Sequence, residues 1–257
     1  MKIIVCGSRG RMGVSVCQLA MMNPDIEIVA GIDVPVAMRV ESFYPYFGGI
    51  NEFTGNADVI IDFLPPTAVD ETLAILDFSV SRQVPLVLCT TGIPPNVESA
   101  IAKAAQKVAI LRSGNMSMGI NLLSSLLKRI SPLLHEAGFD IEIIEKHHNQ
   151  KIDAPSGTAL LLANSINGAL DEKMQYVNDR SHAHKTRSRD EIGLHALRGG
   201  TIVGEHSVVF AGHNEVIEFK HSAQSREVFA VGALKAAEFL LGKPSGLYSM
   251  LDLFETF

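Results

Sequence analysis

The chain has 257 residues, of which 47% are hydrophobic, and its formal net charge is −6. This length suffices for one large domain or two smaller ones, and the negative charge excludes a general attraction to nucleic acid or to an acidic membrane. Its three cysteines form no CxxC pattern, and no apolar run reaches the roughly 20 residues that a membrane span requires. We therefore expect a soluble, cytoplasmic protein with reduced thiols.

Short apolar β runs alternate with helical blocks in the first part of the chain. The predicted strands are KIIVCG, IEIVAGID, ADVIIDFL, PLVLCTTG and VAILRSGN, and the predicted helices are MGVSVCQLAMM, AVDETLAILDFSVSRQ and NVESAIAKAAQ. This alternation is typical of a parallel sheet with helices on both faces. Each strand ends in a polar or glycine cluster, and ligands bind at the carboxyl ends of the strands in such sheets.

A glycine-rich turn follows the first predicted strand and opens the first helix. Gly7, Gly10 and Gly13 have the spacing G-x-x-G-x-x-G, which differs from the commoner G-x-G-x-x-G. Glycines let the backbone approach a pyrophosphate bound at the helix N-terminus. Asp33 ends the second strand, where an acid binds the ribose of a dinucleotide. Together these features favour dinucleotide binding over an ordinary tight turn.

Two further polar clusters end later strands of the predicted sheet. One contains Thr90, Thr91 and Gly92, and the other runs from Ser113 to Met116. Each cluster alone favours an ordinary turn. Beside a bound dinucleotide, the same positions would lie near the nicotinamide.

The pattern changes after about Gly119, where helices INLLSSLLKRISPLL and TALLLANSINGAL are predicted. The β segments FDIEIIEK, TIVGE, HSVVFAG and EVIEFKHSA have few helices between them, which indicates a mixed or antiparallel sheet. The charged segment 171–191 is predicted to be a mobile surface loop, and VFAVGALKAAEFLLGK a closing helix. The predicted fold is therefore α/β: a Rossmann-like parallel sheet domain and an α+β domain with a mixed or antiparallel sheet.

The segment EKHHNQKIDAPSGTA, residues 145–159, concentrates polar side chains before a helix. A metal site would need three or four converging ligands. The spacing of the histidines and carboxylates in this segment does not indicate such a set, so no metal is predicted. A solvated loop at a strand end is a second interpretation. The third is an anion site, in which Lys151, a histidine and the N–H groups of the helix that starts near Ser156 bind a small dicarboxylate and protonate it.

This segment resembles the signature of the 4-hydroxy-tetrahydrodipicolinate reductases, also called dihydrodipicolinate reductases. The blocks GSRGRMG, IDF, TTG, NMSMGIN, IVGEHSVVF and SREVFAVGALKAA are similar to family blocks in the same order over nearly the whole chain. The resemblance implies NAD(P)H-dependent reduction of a cyclic imine dicarboxylate in the diaminopimelate route to lysine. It also implies a dinucleotide-binding domain, residues 1–118 with 229–257, and a substrate-binding and oligomerisation domain, residues 119–228, in a homotetramer.

The resemblance also implies the roles of individual residues. His147 would donate and accept the proton, and Lys151 would be a second donor. His148, Gly157 and Thr158 would hold the substrate carboxylate. The residues implied to line the cofactor are Gly7, Ser8, Arg9, Gly10, Arg11, Met12, Asp33, Cys89, Thr90, Thr91, Ser113, Gly114, Asn115 and Met116.

Three positions depart from the family pattern and bear on the cofactor. Family members commonly have glycine at Cys89, often arginine at Val34, and commonly phenylalanine at Met116. Since Asp33 can accept both ribose hydroxyls and Val34 cannot neutralise a phosphate, we predict that NADH is preferred. NADPH is a possible second cofactor because Arg9, Arg11 or Arg39 could bind its phosphate.

Two alternatives remain open from the sequence. One is another two-domain dehydrogenase, acting on an amino acid or a sugar, against which the signature at residues 145–159 argues. The other is a dinucleotide-sensing protein without turnover, against which the polar residues arranged for a small acid argue.

Overall fold

A computed structural model describes residues 1–33, 43–171, 173–182 and 184–254 of the chain. Val34 and Arg39, which entered the prediction of cofactor preference, lie outside these residues. By its internal contacts the chain divides into two compact units, Met1–Met118 with Arg226–Phe257, and Gly119–Ser225. No helix in the described ranges is long and apolar enough to cross a membrane.

The described residues form twelve strands and six α-helices. The strands are β1 Lys2–Cys6, β2 Glu27–Ile32, β3 Tyr46–Phe47, β4 Val59–Asp62, β5 Leu86–Leu88, β6 Ala109–Arg112, β7 Asp140–His147, β8 Gln175–Val177, β9 Glu191–Arg198, β10 Gly204–Gly212, β11 Glu215–Ala223 and β12 Gly246–Tyr248. The helices are α1 Arg11–Met21, α2 Val69–Arg82, α3 Pro95–Ala105, α4 Met118–Glu136, α5 Gly157–Ala169 and α6 Glu227–Leu240.

The first unit contains a parallel sheet of seven strands in the order β12-β6-β5-β4-β1-β2-β3. Successive residues of β1 are buried on opposite faces, because side chains alternate along a strand. Ile3 and Val5 pack in one apolar cluster with residues of α1 and α6. Ile4 and Cys6 pack in a second cluster with residues of α2 and α3. Both faces are therefore covered, and the predicted Rossmann-like domain is confirmed.

The second unit contains a five-stranded sheet in the order β11-β10-β7-β9-β8. Strand β10 pairs antiparallel with β7 and β11, whereas β9 pairs parallel with β7 and β8. The sheet is therefore mixed, as predicted. Its apolar residues, such as Ile141, Ile143 and Phe210, pack in one cluster with Leu162 and Ile166 of α5.

The charged segment 171–191 differs from its prediction as a mobile loop. It contains β8, which pairs with β9. Arg180 donates hydrogen bonds to Glu142 and Glu191 at 2.9 and 2.5 Å, and Arg187 donates to Glu142 at 2.9 Å. Glu142 lies 38 and 45 positions from these two arginines, so local composition did not reveal that this segment is anchored to the sheet.

Four strands were not predicted, and one predicted strand was misplaced. β3, β8 and β12 have only two or three residues each, too few for a periodic pattern. β9 was missed, and of the predicted strand TIVGE only Gly204 and Glu205 belong to a strand, β10. In β9, a Cβ atom on Gly193 would lie 1.6 Å from Glu142 Oε2, so the glycine makes room for a carboxylate of the neighbouring strand.

Candidate active site

The glycine-rich turn connects β1 to α1 and approaches the end of β2. Gly7 has a positive φ of 73°, and its N–H group donates to Ile32 O at 2.8 Å. A Cβ atom on Gly13 would lie 2.0 Å from Gly7 O, which no side chain tolerates. The turn is therefore tight, and the N–H groups at the start of α1 have no partners within the helix. This backbone cradle fits the pyrophosphate of a dinucleotide.

Asp33 lies directly beside this turn. Its Oδ2 atom accepts a hydrogen bond from the Arg9 N–H group at 2.8 Å. The guanidinium of Arg9 in turn lies over the ring of Tyr46, with Cζ 3.7 Å from the ring centroid. Sequence reasoning did not identify Tyr46, because a stacking partner for Arg9 has no local signal.

A cavity of about 300 Å³ lies next to Asp33. Its lining includes the apolar residues Ile32, Leu64 and Ile75 and the acidic residues Asp33, Glu52 and Glu71. No lysine or arginine is among the described residues that line it. The cavity is therefore apolar and acidic, which suits a neutral ring and a ribose better than a phosphate.

The ends of β5 and β6 meet at the same edge of the sheet. A Cβ atom on Gly114 would lie 3.4 Å from Thr91 Cγ2, so the two predicted polar clusters are neighbours. Ser113 Oγ donates to Asn115 O at 2.7 Å, and the buried side chain of Asn115 accepts from Ser117 N at 2.8 Å. These bonds hold the loop that follows β6 in one conformation.

Cys89 and Met116, two departures from the family pattern, pack in an apolar core. Both are buried in the cluster formed on the α1 and α6 face of the sheet. Burial and the neighbouring carboxylate of Asp62 raise the pKa of the Cys89 thiol well above its usual value. The thiol therefore stays protonated, and we assign it packing and no nucleophilic chemistry.

Asp62 is a fully buried carboxyl group at the end of β4. It accepts a hydrogen bond from Leu64 N at 2.9 Å, and the Thr90 hydroxyl lies 3.5 Å from its Oδ2 atom. Burial raises its pKa from 3.8 to about 6, although these two groups act in the opposite direction. The pKa of Asp62 is therefore higher in the folded than in the unfolded protein. Its protonated form contributes to the free energy of unfolding in full below about pH 4, and this contribution is lost as pH rises to about 6.

We expect Asp62→Asn to remove this pH dependence. The difference in free energy of unfolding, variant minus unsubstituted protein, should be about 2–3 kcal/mol larger at pH 7.5 than at pH 4. This follows from the raised pKa of Asp62 at about 1.4 kcal/mol per pKa unit. Urea unfolding followed by far-ultraviolet circular dichroism measures the difference, since the chain lacks tryptophan. Asp77→Asn, an exposed position in α2, is the control. Parallel pH curves for Asp62→Asn and the unsubstituted protein would contradict the assignment.

The segment 145–159 runs from the end of β7, through a loop, into α5. The loop is fixed to the turn between β9 and β10, because Gly199 N donates to His147 O at 2.9 Å and Asn149 N donates to Gly200 O at 3.2 Å. Ser156 is the N-cap of α5, and its side chain accepts from Ala159 N at 3.1 Å. The predicted helix start is therefore confirmed.

His147 and Glu145 form a hydrogen-bonded pair at the end of β7. The side chains lie on the same face of the strand, and His147 Nδ1 is 2.6 Å from Glu145 Oε2. Arg198 of β9 donates two hydrogen bonds of 2.7 Å to the same carboxylate, and Ser156 N donates a further one of 2.9 Å. Burial raises the pKa of Glu145, but the bonds from Arg198, His147 and Ser156 outweigh it and the pKa is lowered. Glu145 is therefore ionised at neutral pH.

The pKa of His147 is held below its usual value. Burial lowers it most, Glu145 raises it, and the nearby charges of Lys151 and Arg198 lower it further. The ring of His206, on β10, lies 5.1 Å away, centroid to centroid. Burial lowers the pKa of His206 to about 4, so this second histidine is neutral near pH 7.

The other predicted substrate residues lie in the loop and at the start of α5. Lys151 Nζ lies 2.8 Å from Asp153 Oδ1, and the Lys151 side chain is 22% exposed. His148 and Thr158 are half-buried, and Gly157 is exposed. A Cβ atom on Gly157 would meet nothing within 4 Å, so the space above the helix start is open.

Sequence reasoning missed the supporting residues around His147. Glu145 was assigned no role, although its position two residues before His147 in a strand signals a shared face. Arg198 and His206 come from β9 and β10, and no local pattern connects them to the signature. Within the described ranges, no group of three or more His, Cys, Asp or Glu residues is arranged to hold a metal ion.

Comparisons with known proteins identify relatives over the whole chain. Family models described as dihydrodipicolinate reductase match residues 1–116 with the N-terminal domain and residues 119–254 with the C-terminal domain. A 4-hydroxy-tetrahydrodipicolinate reductase from Caldanaerobacter subterraneus is 48% identical over 98% of this chain and 97% of its own. One from Clostridium novyi is 48% identical over 99% and 98%.

A solved structure shares the fold. A dipicolinate-bound dihydrodipicolinate reductase from Paenisporosarcina sp. TG-14 has a TM-score of 0.80 and 23% identity, covering 97% of each chain. Together with the family models and these relatives, the parallel sheet, the glycine-rich turn and the second unit with its own sheet identify a pyridine-nucleotide-dependent reductase. More particularly, the chain belongs to the 4-hydroxy-tetrahydrodipicolinate reductase family, as the resemblance in the sequence predicted.

Proposed function

We propose that this chain reduces 4-hydroxy-tetrahydrodipicolinate to tetrahydrodipicolinate, that NADH is its preferred cofactor, and that His147 donates the proton. The hydrogen bond from His147 Nδ1 to the ionised Glu145 is the observation that supports His147 as the proton donor. Among the described residues Nε2 has no hydrogen-bond partner, so this nitrogen remains for a ligand.

The first unit binds the dinucleotide in this proposal. Gly7 to Met12 hold the pyrophosphate, Asp33 accepts from the ribose, and the loops after β5 and β6 hold the nicotinamide end. The supporting observations are the tight glycine turn, the bond from Arg9 N to Asp33 and the contact between the two loops. When bound, the reduced cofactor supplies a hydride.

His147 supplies the proton that balances the added hydride. An imidazolium has an N–H group on both nitrogens, and with Nδ1 bonded to Glu145 the proton leaves from Nε2. The pKa of His147 is lowered by burial, which weakens its hold on the proton. General acids work best when their pKa lies near the operating pH, and histidine meets this condition.

The second unit binds the two carboxylates of the substrate. The N-terminus of α5 carries a partial positive charge that attracts a carboxylate. Lys151 adds a full charge, and the Thr158 hydroxyl and His148 add hydrogen-bonding groups. The relative from Paenisporosarcina binds dipicolinate, a planar dicarboxylate, which supports a ligand of this class.

Thr158→Val should weaken substrate binding while leaving the helix intact. Loss of a hydrogen bond to a charged group costs roughly 1.5–3 kcal/mol, which corresponds to about ten- to a hundredfold in affinity. Calorimetric titration with pyridine-2,6-dicarboxylate measures this loss in the absence of turnover. Thr201→Val, an exposed threonine of the same unit, is the control. Equal affinities of Thr158→Val and the unsubstituted protein would show that the hydroxyl does not contact the carboxylate.

NADH should be used more efficiently than NADPH. A phosphate beside the Asp33 carboxylate, with unit charges about 5 Å apart at an effective dielectric near 20, is repelled by roughly 3 kcal/mol before screening. Screening by salt reduces this to a preference of about ten- to a hundredfold. The acidic lining of the adjoining cavity acts in the same direction. Arg9, stacked on Tyr46, acts in the opposite direction and keeps NADPH usable.

The measurement is kcat/KM for both cofactors in the unsubstituted protein and in Asp33→Ala. The variant should lose the preference by losing efficiency with NADH, whereas Asp77→Ala should retain it. Equal efficiencies with both cofactors in the unsubstituted protein would contradict the role of Asp33.

A homotetramer and a cytoplasmic location are also part of the proposal. Exposed apolar side chains on strands of the second unit, Ile144, Leu197 and Val216, support a protein contact there. Analytical ultracentrifugation should give a mass about four times that of the chain, whose own mass is 27.8 kDa.

A further inference from the structure

Both carboxylate oxygens of Glu145 accept hydrogen bonds, although the proposed reaction does not use this residue directly. Its side chain is 1% exposed. It accepts from Arg198 twice, from Ser156 N and from His147 Nδ1, at distances between 2.6 and 2.9 Å. A bidentate arginine and a backbone N–H group fix both oxygens, so the carboxylate cannot rotate away from the histidine.

The ionised carboxylate determines which nitrogen of His147 carries the proton in the neutral ring. A carboxylate only accepts hydrogen bonds, so Nδ1 must be protonated and the Nε2 lone pair must be free. Gly204 leaves room on that side, since a Cβ atom there would lie 3.1 Å from Nε2. After protonation, Nε2 is then the only nitrogen of the ring that can pass its proton to a ligand.

We propose that Glu145, held by Arg198, is the positioning residue of His147: it fixes the Nδ1–H tautomer and stabilises the imidazolium from which Nε2 donates. This inference rests on the proposed role of His147 as proton donor. Glu145 itself touches neither substrate nor cofactor in this arrangement. Its contribution would therefore appear in kcat and in the pH profile rather than in substrate affinity.

The other charged and titratable groups that face His147 do not fulfil this role. Arg198 on β9 and Lys151 in the loop are cations and disfavour the imidazolium. His206 on β10 is buried, and its Nε2 atom lies 3.0 Å from Ser156 Oγ, so it is engaged elsewhere. Among the described residues that face His147, only Glu145 carries a negative charge that compensates a proton on the ring.

Glu145→Gln is the informative substitution because it keeps the size and removes the charge. The amide of the new side chain can donate to Nδ1, which would move the ring proton to Nε2 and leave a neutral ring that is a poor acid. We expect kcat to fall about 100-fold with substrate KM within about threefold. In the variant, kcat should begin to fall about 1 pH unit lower than in the unsubstituted protein, because removing an opposite charge lowers the pKa of the imidazolium.

Glu142→Gln is a matched control on the same strand. Glu142 also accepts hydrogen bonds from two arginines, Arg180 and Arg187, and from a histidine, His195, at 2.7–2.9 Å. Glu142→Gln therefore removes a comparable ionic network that does not contact His147. Equal losses of kcat in the two variants, or an unchanged pH profile in Glu145→Gln, would overturn the proposal. Glu145→Asp keeps the charge. In this variant the pH at which kcat begins to fall should therefore stay within about 0.5 unit of that in the unsubstituted protein.

A spectroscopic test requires neither turnover nor a folded variant at position 145. Long-range ¹H–¹⁵N spectra of the unsubstituted protein above the pKa of His147 report which ring nitrogen is protonated. The signal of this histidine among the nine in the chain is identified by its absence in His147→Gln. The Nδ1–H tautomer supports the proposal, and the Nε2–H tautomer overturns it. Because no substrate is present, the result is independent of whether the proposed reaction is correct.

Discussion

His147→Gln is expected to lower kcat by about 10²–10⁴-fold, which is the usual contribution of a general acid. Glutamine keeps a hydrogen-bonding group near Glu145 but cannot release a proton at neutral pH. Cofactor binding should be nearly unchanged, because the glycine turn and Asp33 belong to the other unit. Single-turnover rates with saturating NADH and substrate measure the chemical step directly.

The matched control for this substitution is His213→Gln, at an exposed position between β10 and β11. It should leave kcat within about twofold of the original, as expected for a surface histidine without a catalytic role. A kcat for His147→Gln within about threefold of the unsubstituted protein, at matched pH, would assign the proton donor elsewhere.

Lys151→Met is expected to lower kcat/KM by about 10²–10³-fold, comparable to the loss of one preorganised donor at a reacting centre. Methionine retains most of the side-chain volume and removes the charge that offsets negative charge on the substrate. The ion pair to Asp153 is solvent-exposed on the aspartate side, at 57%, so its loss should change stability little.

Lys173→Met tests whether charge alone explains such a loss. Lys173 also forms a lysine–aspartate pair in the second unit, with Asp171 at 3.1 Å, but both side chains are largely exposed. Its substitution should leave kcat/KM unchanged within error. Similar losses for the two lysine variants would indicate a general effect of net charge on the approach of an anionic substrate.

Much of the fold could be predicted because its signals are local. β1 and β2, the glycine turn and Asp33 follow from apolar runs closed by glycine or acid, and the structure brings the turn and the acid together. The start of α5 at Gly157 follows from the capping residue Ser156 and the apolar run behind it. Strong periodicity and capping act within a few residues, so one sequence suffices to detect them.

The parts that escaped prediction depend on distant residues. β9 was missed because its glycine accommodates Glu142 of β7, which is a requirement of packing and not of strand propensity. Arg198 joins Glu145 across 53 positions in the chain. The anchoring of segment 171–191 by Arg180 and Arg187 is likewise a tertiary effect.

The most direct test of the central claim is a coupled assay with purified protein. The synthase that precedes this reaction generates the substrate from pyruvate and aspartate semialdehyde, and the loss of nicotinamide absorbance reports reduction. We predict NADH oxidation that requires all three additions and is inhibited by pyridine-2,6-dicarboxylate. Binding of NADH without any oxidation in the complete mixture would contradict the proposed function and favour a dinucleotide sensor.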